Sequence, residues 1–387
     1  MHILMIAPEP FFEPRGTPFS EFHRIRALTT LGHTVDLVTY PFGKDVDLPG
    51  LTIIRTVKPP FISRVRIGPS WAKVPLDLLL AVTATRMALT RKYDVIHSHE
   101  EGGAIGVLLA GLLRKPHLYD MHSSLPQQIS NFGYGKSRWL AGLFGWVERL
   151  MIKRSQAVIV ICQDLDDTVK ALGINVPTVL IENAAGSGAA PSPGTGLAVR
   201  QRLGLDADTP VVLYTGTFEA YQGLDLLYRA MRILLDTQPS ARLVMVGGAP
   251  DQVEAARRDA AAAGLGEAVV FTGQQPAEDI PAYLDAASVL VSPRSSGTNT
   301  PLKIYQYLRS GRPIVATRLR THTQVLDDEV SILVEPTAEG LAAGILRGVT
   351  AADAAALGAR AKVLAETKYS DDMFITKTRR AYEILLQ

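Results

Sequence analysis

Short runs of apolar residues alternate along this chain with longer stretches in which apolar positions recur every three or four residues. The short runs read as buried strands and the longer stretches as amphipathic helices. In the first half the predicted strands are Ile3–Ala7, Val35–Tyr40, Leu51–Thr56, Val95–His97, Pro116–Tyr119, Ala157–Ile161 and Val179–Ile181. Helices are predicted over Ser20–Leu31, Pro75–Thr90, Ala104–Leu113, Ser137–Arg154 and Leu165–Leu172. In the first of these, Phe22, Ile25, Leu28 and Leu31 share a face and Gly32 closes the helix.

From Ala184 to Gly196 the chain is built of small residues, Gly and Pro, which reads as a flexible linker. A second alternation follows. Its strands are Val211–Thr215, Arg242–Val246, Ala268–Phe271, Val289–Ser292, Pro313–Ala316 and Ile332–Val334. Its helices are Leu224–Thr237, Gln252–Ala263, Ile280–Ala287 and Lys303–Arg309, with helices filling the remainder. Strands separated by helices require right-handed crossovers and parallel sheets. The expected fold class is therefore α/β, with two Rossmann-like domains facing a central cleft. The expected boundaries are 1–183 for the first domain, 184–204 for the linker and 205–366 for the second. Ligands in such sheets bind beyond the carboxyl ends of the strands, so the loops there are where chemistry is sought.

Length and composition narrow the class. At roughly 150 residues per domain, 387 residues make more than one domain. A hydrophobic share of 47%, a charged share of 20% and a net charge of +2 describe a globular protein and give no sign of a nucleic-acid binder. The single cysteine, Cys162, has no internal partner, which points to a reducing compartment and to a small buried hydrophobe after a strand. Met1–Ala7 is apolar but short and lacks a basic leader, so it reads as a strand and not a signal peptide. No run of about 20 apolar residues is present. A cytoplasmic location is expected.

Four strand-end loops carry candidate chemistry. The first, Pro8–Pro18, holds Arg15, Gly16 and Thr17 ahead of a helix expected to be capped by Ser20; glycine, helix N-terminus and cation together suit a phosphate. The second is Tyr119–Ser124, where His122 would donate a hydrogen bond to a phosphate or sugar hydroxyl, oriented by Asp120. His97 and His99 flank Ser98 and are read as alternating between faces, against a shared metal, and no metal set is expected. The third, Tyr214–Gly223, offers Gly216 and Gly223 for tight turns, with Glu219 and Gln222 as polar groups. The fourth runs from Val291 to Ala316. Pro301 stands where a helix begins, and the N–H groups of Gly297, Thr298, Asn299 and Thr300 are available to a ligand. Arg294 and Lys303 flank them, and Lys303 and Gln306 share a helix face, so the loop reads as a diphosphate site.

At this fourth loop, Asn299–Thr317, the chain resembles the family 4 glycosyltransferases, which have the GT-B fold. Phe12–Pro18 resembles the family's first glycine loop, Asp94–His99 its strand ending in two histidines, and Asp120–His122 its strand-end histidine. Val211–Gly223, Val246–Gly248 and Val270–Gly273 resemble the turns of its second domain, and the likeness covers nearly the whole chain. The family usually carries two glutamates in the fourth loop, where this chain has Thr298 and Gln306. The family's Arg and Lys of the third loop are replaced by Thr217 and Gln222. By resemblance, residues 367–387 form a helix crossing back to the first domain.

The resemblance implies transfer of a sugar from a nucleotide-diphosphate-sugar to an acceptor hydroxyl of a glycan, lipid or lipid-linked molecule. Retention of configuration, no metal and no cofactor are expected. His122, Arg294 and Lys303 would act at the reacting centre. Donor contacts would come from Arg15, Gly16, Thr17, Gly216, Thr217, Glu219, Gln222, Gly247, Gly273, Gln274, Gly297, Thr298, Asn299, Thr300, Pro301, Leu302 and Gln306. The base would be read near Gly273–Gln275. Gln306 would hydrogen-bond a ribose hydroxyl through its amide.

Two segments, Phe61–Lys73 and Tyr134–Arg154, mix aromatics with cations. They read either as core-facing elements with a solvated basic face or as a peripheral contact with an anionic membrane, which would put the protein at its inner face. Two other functions fit the same shape: a sugar-nucleotide epimerase, and a non-catalytic partner subunit motivated by the missing glutamates.

Overall fold

The computed structural model describes residues 1–13, 16–63, 65, 70–126, 138–184 and 194–386. The chain divides into two compact units, Met1–Asn183 with Asp372–Gln387, and Ala184–Asp371. Each is an α/β unit around one parallel sheet.

The first unit holds strands β1 (His2–Ala7), β2 (Thr34–Thr39), β3 (Leu51–Arg55), β4 (Val95–His99), β5 (His117–Met121), β6 (Ala157–Val160) and β7 (Thr178–Leu180). Their order is β3-β2-β1-β4-β5-β6-β7. The sequence explains who sits where. Ile3, Leu4, Met5 and Ile6 are apolar without alternation because β1 is central and covered on both faces; all four are fully buried. Burial of each such side chain contributes about 1.5–3 kcal/mol. The edge strand β3 mixes Thr52 and Arg55 among its apolar residues and is only partly buried.

The second unit holds β8 (Val211–Gly216), β9 (Arg242–Gly247), β10 (Val269–Gly273), β11 (Val289–Ser292), β12 (Ile314–Thr317) and β13 (Ile332–Val334), in the order β10-β9-β8-β11-β12-β13. In both units the chain first winds one way from the centre and then returns to wind the other way. The reversal falls between β1 and β4 in one sheet and between β8 and β11 in the other. Crossovers leave such a point in opposite directions, which opens a crevice at the strands' carboxyl ends.

Some expected boundaries move. The first helix begins at Gly16 and runs to Thr30, so Gly16 and Thr17 form its first turn. Ser20 is therefore no cap: it is buried inside the helix and its hydroxyl bonds the Asn183 side chain. The expected linker is helical over Thr195–Arg202, where Val199 is buried and the Gly194 and Gly196 N–H groups donate to Asp285. An added Cβ at Gly196 would collide with the backbone at Ala286, so the small residues there serve close packing. Asp371–Ile384 forms a helix of the first unit. Cys162, the single cysteine of the chain, is buried.

Candidate functional site

In the first unit β4 and β5 pair with His99 opposite Asp120. His97 and His99 are two residues apart in a strand and so point to the same face. Their rings stack with centroids 4.8 Å apart and planes 12° apart, which corrects the expectation that they alternate. Asp120 faces them: its Oδ2 lies 3.5 Å from His97 Nε2 and 3.9 Å from His99 Nδ1, and its Oδ1 lies 3.3 Å from His122 Nε2. His122 also meets His99, Nε2 to Nδ1, at 3.0 Å. Ligand atoms of His97, His99 and Asp120 fall within 4.8 Å of one another. However, Arg24 Nε donates to Asp120 Oδ2 at 2.9 Å, so a cation already neutralises that carboxylate.

This cluster is tied down from behind. Arg24 also donates to Thr378 Oγ1 at 2.9 Å and lies 4.8 Å over the Phe374 ring, and the Tyr382 hydroxyl meets His97 Nδ1 at 2.6 Å. Burial alone would raise the Asp120 carboxyl, but the Arg24 guanidinium overrides it and holds it well below the usual range. Burial lowers His97, His99 and His122, only partly opposed by Asp120 in each, which favours neutral rings. His122 is thus a neutral, nearly buried imidazole at the end of a fixed network. Sequence reading singled out His122 and Asp120. It missed Arg24 and Tyr382, which lie on two helices remote in sequence from each other.

Three further carboxylates lie at this edge. Glu9 and Glu100 follow β1 and β4, and Glu21 faces inward from the first helix; all are buried. Burial and the neighbouring Glu9 push Glu21 well above the usual carboxylate range, and burial with Glu101 does the same to Glu100, favouring protonated acids. Ser123 donates to both Glu100 oxygens. Phe12 and Glu100 take left-handed φ values of 58° and 46°, backbone strain concentrated at the strand reversal. Of the first glycine loop, Arg15 lies outside the described residues, while Gly16 and Thr17 are placed at the helix start.

In the second unit β8 and β11 end beside one another. Gly216, with φ 138°, closes β8 and pairs in register with Gly247 of β9. A side chain at Gly247 would collide with the Gly216 carbonyl, so two strand ends approach as only glycine allows. Lys303 comes up beneath them from helix Leu302–Ser310. It is only 7% exposed, its Nζ lies 3.7 Å from the Tyr214 ring centroid, and it has no hydrogen-bond partner. Burial, then Arg294, lowers the Lys303 amine well below its ordinary value. A Cβ on Gly216 would sit 3.3 Å from Nζ, so the amine points at this glycine turn.

Arg294 does different work. Its Nη1 donates to the Asn299 carbonyl at 2.7 Å and Thr321 Oγ1 at 2.9 Å, and its guanidinium lies 5.0 Å from the Tyr221 ring centroid. It folds the loop over itself, and Gly297, with φ 110°, passes close enough that an added Cβ would lie 3.2 Å from Nη1. The Thr298 carbonyl accepts from Gln324, and Thr300 and Pro301 are buried. Pro301 occupies the cap position, and the helix proper starts at Leu302. Lys303 and Gln306 part company: Lys303 is turned inward while Gln306 is exposed. Gln222 is buried and donates to Thr217 Oγ1 at 3.4 Å, and Gln252 donates to Glu219 at 2.9 Å, so both polar groups of the third loop brace it internally. Gly273 ends β10 with φ 68° and open space around its Cα, and Gln274 beside it is exposed.

The comparisons with known proteins agree with this architecture. A glycosyl transferase 4-like domain model matches residues 23–184, and a model of group 1 glycosyl transferases matches residues 209–350. A D-inositol 3-phosphate glycosyltransferase of Corynebacterium jeikeium is 26% identical over 291 residues, covering 70% of this chain and 66% of that protein. The chain thus spans just under two thirds of that relative's length. Among solved structures, a sucrose-phosphate synthase from Thermosynechococcus elongatus superposes with a TM-score of 0.79 at 21% identity, over 100% of this chain and 98% of that one. The Anabaena protein HepE in complex with UDP gives 0.75 at 19% identity over 100% of both. With both halves matched by these models and both sheets wound as in these structures, the chain belongs to the family 4 glycosyltransferases of the GT-B fold.

Proposed function

We propose that this protein transfers a sugar from a nucleotide-diphosphate-sugar to an acceptor hydroxyl, retaining the anomeric configuration and using no metal. The observation that carries the reading is Lys303: a buried amine with no hydrogen-bond partner, aimed at a glycine turn and accompanied by Arg294. Such a group is costly in the empty protein and becomes favourable when a dianionic diphosphate completes it. A structural neighbour of this fold, HepE, was solved in complex with UDP, which supports the class of ligand.

In this reading the bond from the anomeric carbon to the diphosphate oxygen breaks as the bond to the acceptor oxygen forms on the same face. The acceptor's proton passes to the departing phosphate oxygen. Lys303 and the N–H groups around Gly216 and Gly297–Thr300 stabilise the charge that develops on the leaving group. His122, neutral and accepting at Nε2 from His99 Nδ1–H, keeps its proton on Nδ1 and donates it to the donor sugar or phosphate. Gln306, exposed on the helix, reaches the ribose. No step requires a metal. Incubation with a panel of nucleotide sugars in the presence of a chelator, with released nucleoside diphosphate and product anomer read out, tests the whole reading. Release of diphosphate with a retained anomer is expected. No release and no binding with any donor would favour the partner-subunit reading, and donor isomerisation without transfer the epimerase.

A further inference from the structure

All three tryptophans of the chain lie on one side of the first unit, and all are exposed: Trp71 by 84%, Trp139 by 72% and Trp146 by 62%. Tryptophan is normally largely buried in a folded domain, so three at the surface call for a partner. They belong to a layer of three helices, Lys73–Thr90, Gly102–Leu113 and Arg138–Arg154, with the middle one packed against both others. On Lys73–Thr90 the outward positions are Val74, Leu78, Val82 and Leu89, with Trp71 just ahead of them, all more than half exposed. Their spacing of three to seven residues makes one stripe. Gly102–Leu113 adds Leu108 and Leu112, and Arg138–Arg154 adds Leu143 to its two tryptophans. Among the described residues of the second unit, by contrast, the exposed large apolar side chains are the scattered Leu197, Ile233 and Val363. Arg138–Arg154 therefore buries Met151 and Ile152 in the core and turns Trp139, Leu143 and Trp146 outward beside its basic residues.

Charge decides what covers this face. The three helices contain two acids, and both are turned inward: Asp77 is bound by the Tyr40 hydroxyl, and Glu148 accepts from the Leu125 N–H at 2.7 Å and from Ser124 at 3.2 Å. The exposed charges on the helices are basic, Arg86, Arg149, Lys153 and Arg154, and Lys92, Arg114 and Lys115 follow two of them; Arg91 there is paired with Asp36, and Asp94 is the exposed acid nearby. A protein partner would call for mixed charges, whereas tryptophans beside a predominantly cationic rim match the headgroup region of an anionic bilayer. No single helix among the described residues is long and apolar enough to cross a membrane, so contact is peripheral. We infer that the face formed by these three helices docks on an anionic lipid surface. This goes beyond the transfer reaction and does not depend on it.

The test uses the full chain, without nucleotide sugar, and vesicles of phosphatidylcholine alone or mixed with phosphatidylglycerol. Co-flotation with the mixed vesicles only, and a blue shift of tryptophan emission on adding them, are expected. Replacing Lys115 and Lys153 by Gln should weaken partitioning about thirtyfold at low salt, from roughly 1 kcal/mol per basic residue near the surface. A second variant, Leu78→Gln with Leu112→Gln and Trp146→Gln, changes only exposed side chains; it should lose flotation while keeping its circular dichroism and melting temperature. Failure to float with either vesicle overturns the inference, as does flotation unaffected by both variants. Concentration-dependent dimerisation in sedimentation without lipid, abolished by the second variant, would overturn it in favour of a second copy. Donor turnover is measured separately, so an inactive protein that floats, or an active one that does not, tells the two readings apart.

Discussion

Replacing Lys303 by methionine should make the empty protein more stable and the donor complex weaker. The amine is buried without a hydrogen bond, an arrangement that costs about 1–3 kcal/mol, and the Tyr214 ring returns roughly 0.5–2 kcal/mol of that through a cation–π contact. Methionine fills similar volume without the charge, so the net gain is about 1 kcal/mol, or roughly 2–4 °C in melting temperature for a unit of this size. The same change removes a charge-assisted hydrogen bond to phosphate worth about 1.5–3 kcal/mol, which is roughly a 10- to 150-fold loss in affinity for a nucleoside diphosphate. pH provides a second reading. Because the folded-state value lies well below the ordinary lysine value, the unfolded chain binds more protons between the two, and stability rises with pH across that window. Lys303→Met should flatten that rise. Calorimetric melting from neutral to alkaline pH and titration with UDP, GDP and ADP check both arms. A variant that is less stable at neutral pH, or that binds all three nucleotides as the parent does, would refute the reasoning.

Three other changes follow from the same geometry. Asp120→Asn leaves Arg24 buried without its counter-charge and should cost about 3–5 kcal/mol, read from denaturant unfolding of the full chain; a cost below 1 kcal/mol would mean that solvent reaches the cluster. His97, His99 and His122 are lowered by burial, so the unfolded chain takes up more protons below the ordinary histidine value of about 6.5, and stability should fall as pH drops from 7 to 5. His122→Asn should make that fall shallower, and an unchanged slope would count against a neutral buried cluster. Gln306→Ala, at an exposed position, should leave melting unchanged yet weaken nucleoside diphosphate binding about fivefold while sparing pyrophosphate, in line with loss of one hydrogen bond of about 1 kcal/mol; equal weakening of both would remove the ribose role.

Most of the architecture is legible because strand and helix periods differ. Central strands such as Ile3–Ala7 declare themselves by unbroken apolar runs, and glycines such as Gly32 and Gly216 mark where elements end. What is not legible is what depends on partners far apart in the chain. Arg24 looks like an ordinary helical cation until Asp120, Thr378 and Phe374 are brought around it. Helix Thr195–Arg202 is hidden because its neighbours are the small residues of a linker, and its stability comes from packing on Ile280–Ala286 and not from propensity. On β4 the strand period of two sets His97 and His99 on one face, where their rings stack. In the second unit the residues Arg294 and Lys303 were found from charge and loop composition. Sequence did not separate their tasks, because which cation braces the loop and which points at the turn depends on the ring of Tyr214 and the hydroxyl of Thr321.

The helix Asp371–Ile384 belongs to the first unit, although the whole second unit lies between it and the residues it packs on. Synthesis is vectorial, so residues 1–183 leave the ribosome with Arg24, His97 and Asp120 lacking Thr378, Phe374 and Tyr382. Their buried charges are completed only after every residue of the second unit has emerged. The second unit is contiguous and can close on its own schedule, whereas the first must wait, which makes the earliest part of the chain the last to become fully native. A released chain that ends at Asp371 should therefore present a protease-resistant second unit beside a first unit that is still open to cleavage.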